Sequence, residues 1–328
     1  RDVAPSRGLG DVYKRQLPST SIAFSESEET WSGNRRNQTI DGGTHTITLS
    51  NLTIDSPGVE KSAIDITGNA DVTFILEGNN TLRGYRNHPA IWVESGSSVT
   101  FEGNGLLEAS AGGASIGLGA AGIGGGYGAS SNFGNITING GTIIARGSGG
   151  GAGIGSGENA NYSGTVTING GVVYAEGGAD STSIGSGNRA IGTSDNGAFT
   201  TGTGGNAVIV APDGIGDPSG FADWDGIFIS YEGSNTSATV GEDGTVHLND
   251  TEANIQVWGE PVIDYPLVVE SGTELRVVQN DRNYAYATLE IGQDGKLTNN
   301  GTVTVDEGST LIPVSYTHLR AHETELHL

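Results

Sequence analysis

NITINGGTIIARG at 135–147 returns one unit later as TVTINGGVVYAEG at 165–177, and this recurrence decides the fold. The flanks repeat as well: AGIGGG at 121–126, AGIGSG at 152–157 and TSIGSG at 182–187 put Ile123, Ile154 and Ile184 at matching places in successive units. Upstream the step is shorter, with AIDI (63–66) and VTF (72–74) recurring as AIWV (90–93) and VTF (99–101), both by the same shift. Each unit holds three short β-type pieces, such as ITI, TIIA and GIG, separated by NGG, GSGG or a longer polar loop. None is long enough for a hairpin sheet of its own. Stacking one unit on the next solves this, since every piece then pairs in register with its copy one coil away. The chain is therefore expected to be all-β, a right-handed parallel β-helix (β-solenoid) with coils about 4.8 Å apart. Its interior is expected to hold one apolar column per face, for instance Ile64, Ile91, Ile123, Ile154 and Ile184. Glycine beside those isoleucines permits tight corners and positive φ. Asn139 and Asn169 occupy equivalent corners, where a stacked amide ladder satisfies turn backbone.

Composition agrees. Glycine is 56 of 328 residues with only 9 prolines, clustered between β-branched runs and without a three-residue period, which excludes collagen. No stretch carries a sustained helical period. Cysteine is absent, so disulfides and thiolate metal sites are excluded, and no apolar run reaches the roughly 20 residues of a membrane span. With 38 acidic against 15 basic residues, the net charge of −23 repels phosphate backbones and argues against nucleic acid as a partner. It suits a secreted or cell-surface setting and is compatible with calcium.

Organisation follows composition. Residues 1–16 and 315–328 are foreign in character: Asp11 to Gln16 (DVYKRQ) and Ser315 to Thr324 (SYTHLRAHET) resemble read-through of sequencing adapters at the ends of metagenome-assembled proteins. Without them the charge is −24, from 10 basic and 34 acidic residues. Residue 1 is Arg and Met is absent, so the sequence reads as a piece of a longer, multidomain chain. Residues 17–34 read as a disordered leader, 35–210 as the parallel β-helix, 211–264 as a turn-rich β connector, and 265–314 as a solenoid of shorter coils, with a Gly turn every nine residues or so.

The motifs NGGTI-x-A-x-G, AGIGGG/AGIGSG, GNAVIV and TLEIGQDGKLTNNGTVTV resemble the right-handed parallel β-helix modules of large secreted proteins from Gram-positive, gut-type bacteria. The similarity spans residues 35–313 and implies an adhesin-like or carbohydrate-binding surface protein. It brings no catalytic residues with it, and no LPxTG anchor is present.

Candidate sites remain few. GLGAAG at 117–122 matches a dinucleotide fingerprint but lacks the helix that the motif requires. A hydrolase or lyase on this scaffold needs clustered carboxylates. Between 17 and 314 the histidines are only His45, His88 and His247, and the units from 105 to 210 are nearly free of paired acids. Asp213, Asp217, Asp223 and Asp225 fall in one Gly-rich loop and could supply oxygen ligands to calcium, although their spacing also suits plain Asp-Gly turns. A glycan site has a sharper pointer. Aligning the repeats places Trp92 where Asp65 stands one coil earlier and Gly124 one coil later. With the isoleucines inward, alternation sends Asp65 and Trp92 outward, and the indole becomes a platform for a sugar ring with its N–H open to a hydroxyl. Tyr85, His88 and Tyr127 are near in the same frame. Thr-x-Thr pairs such as Thr46/Thr48 and Thr165/Thr167 raise ice binding, but the pairs do not recur on every coil. The function expected is an extracellular structural, adhesin-like module that binds glycan; the alternative is a carbohydrate-active enzyme on the same scaffold.

Overall fold

The computed structural model describes residues 29–55, 61–113, 118–128, 130–160, 164–188, 199–201, 207–215, 226–230, 238–241, 245–249, 254–258, 260–277 and 286–313. Every regular element among them is a β-strand. Three strands make a coil, and successive coils pair in parallel, so the chain is a β-solenoid.

The first face carries the isoleucine column. Its strands are Gln38–Asp41, Ile64–Thr67, Ile91–Val93, Ile123–Gly124, Ile154–Gly155 and Ile184–Gly185. Ile64 pairs with Ile91, Ile91 with Ile123, Ile123 with Ile154 and Ile154 with Ile184, all fully buried. An isolated bridge from Ile184 to Ile215 carries the column one coil further. The adjoining glycines Gly124, Gly155 and Gly185 have φ of +128°, +135° and +126°. The column expected from the sequence is present.

The second face runs through Thr44–Asp55, Asp71–Glu77, Ser98–Gly103, Asn135–Ile138, Val166–Ile168 and Phe199–Thr201. Its inward positions stack Ile47, Phe74, Phe101, Ile138 and Ile168. Its outward positions put Thr46, Thr73, Thr100, Thr137 and Thr167 in one unbroken column, and the backbone register continues to Thr200. The threonine pairs are irregular, as the sequence indicates, yet a single threonine recurs on each of these strands. Beside it, the Asn169 amide donates to Asn139 Oδ1 at 2.8 Å and the Asn139 amide to Glu102 Oε1 at 3.3 Å, so the corner ladder exists and ends on a carboxylate.

The third face runs through Asn79–Arg83, Leu106–Ser110, Thr142–Arg146, Val172–Glu176 and Ala207–Ala211. The 12-residue strand Thr44–Asp55 pairs with the second face by its first half and with the third by its second, which joins the two faces into one 16-stranded sheet. The later strands of this face, Thr142–Arg146, Val172–Glu176 and Ala207–Ala211, are buried on both sides. Ile143, Ala145, Val173, Ala175 and Ile209 point into the first solenoid. Leu106, Ile144, Val172, Tyr174, Val208 and Val210 belong to a second core, shared with Val246, Leu248, Val257, Leu267, Val269, Leu275 and Leu289. TIIA, VVYA and AVIVA are continuous apolar runs for this reason: burial from two sides leaves no polar side to alternate with.

That second core belongs to a smaller solenoid. Its first coil contains Val246–Leu248, Asn254–Trp258 and Val262–Ile263; the next contains Pro266–Val269, Glu274–Val277 and Thr288–Ile291; the last contains Lys296–Asn299, Thr302–Val305 and Thr310–Ile312. The short spacing read from the sequence is therefore one side of a three-sided coil. Val246 pairs with Leu267 and Gln256 with Arg276, shorter steps than those between successive isoleucines of the first face, whereas Leu267 pairs with Leu297 and Leu275 with Val303, steps as long as in the larger solenoid. The smaller solenoid is tied to the larger by Gly226–Ser230, which pairs in parallel with Ala207–Ala211 and antiparallel with Asn254–Trp258. Tyr265 Oη accepts a 2.6 Å hydrogen bond from the Gly171 amide across the junction. These coils begin inside the stretch read as a connector. At the other end, Glu29–Asn34 forms a strand within the stretch read as a leader, because Trp31 is buried against Phe74 with ring centroids 6.4 Å apart.

Candidate functional site

The recess lies on the outside of the first face, between two loops from successive coils. One loop is 85–87, leading through His88 into Ile91–Val93; the other is described at 126–128 and 130–131. The first turns tightly: the His88 amide donates to Tyr85 O at 3.1 Å, and Asn87 adopts φ +53°, a conformation that asparagine tolerates. Gly84 is required here, since a Cβ on it would meet His88 O at 2.3 Å and Pro89 O at 2.4 Å. The second loop is fastened below by Glu158, a buried carboxylate that accepts from the Gly119 amide at 3.1 Å, while its own carbonyl accepts from Gly128 at 3.0 Å. Ser131 Oγ donates to Tyr127 O at 2.9 Å, and the Tyr127 amide reaches Asn87 O at 3.4 Å, so the two loops meet.

Together they border an open recess of about 160 Å³ lined by Asn87, His88, Trp92, Gly126, Tyr127 and Ser131. Three of the five residues singled out from the sequence, Trp92, His88 and Tyr127, therefore come together. Tyr127 is 38% exposed and Trp92 half-buried. Trp92 Nε1 is shut off from solvent and has no hydrogen-bond partner, as is Asn87 Oδ1. The expectation of an open indole N–H is thus corrected: Trp92 lines the recess, but its N–H is closed off from solvent.

Asp65 needs a second correction. It pairs in register with Trp92, which in turn pairs with Gly124, as the repeat alignment indicates. Yet the residue is only 8% exposed, so pointing away from the core does not place it in water. Burial raises its carboxyl above the ordinary value of 3.8, with Ser62, Lys61 and His88 acting in the opposite direction and losing to desolvation. Tyr85 does not line the recess; its ring is covered by the Arg86 guanidinium, 5.4 Å from the centroid.

Asn87, Gly126 and Ser131 were not singled out from the sequence. Asn87, in the turn RNHP, carried a usable signal, because Asn favours left-handed turn positions. Ser131 carried none, since its place depends on the length of a loop with no counterpart one coil earlier.

The proposed calcium loop is described only at Asp213. There the carboxylate accepts from the Gly177 amide at 2.9 Å and faces Ser183 Oγ at 3.3 Å, and the Asp213 amide donates back to Ser183 Oγ at 2.8 Å. Asp213 thus closes the coil. Asp217, Asp223 and Asp225 lie outside the described residues, among which no cluster of three or more His, Cys, Asp or Glu could hold a metal. The other two histidines are far along the chain from the recess and already engaged: His45 Nε2 lies 2.7 Å from Gly42 O, and His247 Nδ1 lies 2.8 Å from Glu270 Oε1. No helix among the described residues is long and apolar enough to cross a membrane.

Comparison with known proteins adds little. No family model and no curated protein matches the chain. One solved structure, the crystal structure of the TibC-catalysed hyper-glycosylated TibA55-350 fragment, is 16% identical over 89% of this chain and 98% of its own. Its TM-score of 0.17 is too low to carry any argument.

Proposed function

We propose that the chain is an extracellular, adhesin-like module of a bacterial surface protein, built as a right-handed parallel β-helix, and that it binds glycan at the Trp92 recess. The observation that carries this reading is the convergence of Trp92, Tyr127 and His88 on one recess of the solenoid's outer wall. Flat aromatic faces stack on the apolar faces of sugar rings, and a few polar side chains in such a pocket fix the ring's orientation. The rival reading, a lyase or hydrolase on the same scaffold, needs two or more carboxylates facing the bound sugar. None lines the recess; Asp65, the neighbouring acid, stands alone and is covered. The same reading takes the module to be one part of a longer secreted or wall-associated chain.

A glycan array probed with the wild-type chain and with Trp92→Ala tests it. Signals that drop by about tenfold in the variant support the site, as expected for losing one stacked aromatic worth up to roughly 1.5 kcal/mol. Superimposable profiles, with the fold intact by circular dichroism, reject it.

A further inference from the structure

We infer that the recess takes a single terminal sugar ring and not the side of a polysaccharide chain; this rests on the glycan reading above. Two independent observations point to it. The first is size. Pockets that bury a drug-sized ligand run to about 300–1,000 Å³, and a recess of about 160 Å³ has room for one pyranose ring with its substituents.

The second is the register of the face that carries Trp92. A polymer lying along the solenoid needs a platform on each successive coil, because its rings recur along the axis. The column through Trp92 reads Thr39, Asp65, Trp92, Gly124, Gly155 and Gly185 from the N-terminal end. One aromatic stands in it, followed by three glycines that offer no side chain at all. A polymer crossing the face instead of following it meets the loops. Asn87 and His88 rise on one side and Tyr127 and Ser131 on the other, joined by the Tyr127 amide and Asn87 carbonyl at 3.4 Å. The walls and the bare column together leave a seat for a chain end or a one-residue branch.

The polar chemistry suits such a guest. A terminal ring presents hydroxyls around most of its circumference, each both donor and acceptor. Among its lining the recess carries the Ser131 hydroxyl, already donated to Tyr127 O, and the Asn87 and His88 side chains, with Asn87 Oδ1 closed off from solvent and no carboxylate.

The test is a chain-length series on the full chain, read by tryptophan fluorescence and by calorimetry. The probes are the methyl glycosides of glucose, galactose, mannose, xylose and N-acetylglucosamine, each beside a tetrasaccharide and a long polymer of the same sugar. The expected result is that at least one methyl glycoside binds, that its tetrasaccharide binds within about threefold of it, and that the polymer binds only in proportion to its few chain ends. Tyr127→Ala, an exposed side chain whose loss spares the core, should weaken mono- and tetrasaccharide by the same factor. An affinity that climbs about tenfold or more from one ring to four overturns the single-ring inference and leaves glycan binding standing. Silence from every sugar of every length overturns both.

Discussion

Replacing Gly155 by alanine isolates the contact that allows one coil to sit on the next. Gly155 has φ +135°, and a Cβ added there would lie 2.0 Å from the Gly185 carbonyl oxygen and 2.9 Å from its carbon. That oxygen is fixed, because it accepts the Ser156 amide at 2.9 Å. Three costs follow: about 1–3 kcal/mol for an L-residue in sparsely populated backbone space, about 1–3 kcal/mol for forcing the packed coil apart, and about 1 kcal/mol for weakening the Ser156 hydrogen bond. The sum, about 3–7 kcal/mol, is a large part of the 5–15 kcal/mol that usually holds a domain together. Two further glycines separate the causes. Gly33 has φ +66° with nothing within 4 Å of its added Cβ, so Gly33→Ala should cost only the backbone portion. Gly113 is free of both constraints, and Gly113→Ala should change stability by less than about 0.5 kcal/mol. Urea unfolding followed by tryptophan fluorescence gives the three values, and hydrogen exchange at the Ile123, Ile154 and Ile184 amides locates the damage. If Gly155→Ala matches Gly113→Ala, coil-on-coil contact at this column is not what holds the stack.

Two other variants probe the junction and the site's flank. Tyr265→Phe removes the acceptor of the Gly171 amide at 2.6 Å and should cost about 1–3 kcal/mol by leaving a covered N–H unpaired; unchanged urea midpoints would show that the two solenoids are not coupled there. Asp65→Asn concerns a carboxyl whose burial raises its folded-state pKa above 3.8. Such a group favours the folded chain fully below 3.8 and loses that contribution as pH rises through the raised value, so at neutral pH its charge is a burden. The variant should melt higher than wild type at pH 7, with the gap closing as pH falls towards 4; a gap that widens on acidification contradicts the burial argument.

Much of the architecture was legible because the repeat fixes what lies above what. Ile123, Ile154 and Ile184 could be stacked from their spacing, and so could Asn169 on Asn139 and Gly124 on Trp92. The threonine column was harder to read. Thr46, Thr73, Thr100, Thr137 and Thr167 are unevenly spaced along the chain, with the widest gap between Thr100 and Thr137. Corner loops of unequal length interrupt a register that the strands keep. The smaller solenoid's docking onto Ile144, Tyr174 and Val210 did carry a signal, in runs such as AVIVA that fail to alternate. Asp65 shows where pattern reading stops: alternation gives the direction of a side chain, while cover depends on neighbouring loops that no periodicity describes. The recess has the same limit, since Asn87 and Ser131 meet only through the conformations of two unlike loops.

Ile91 follows Ile64 after a shorter stretch of chain than the one that separates Ile91 from Ile123, yet pairing is continuous from Ile64 to Ile184. Length differences are absorbed entirely at the corners. Frame and ornament can thus vary separately: strands answer to their neighbours above and below, whereas a corner segment answers only to whatever approaches from outside. A lineage could exchange the loops around Asn87 and Tyr127 for others, altering what is recognised, while every rung of the stack stays where it was.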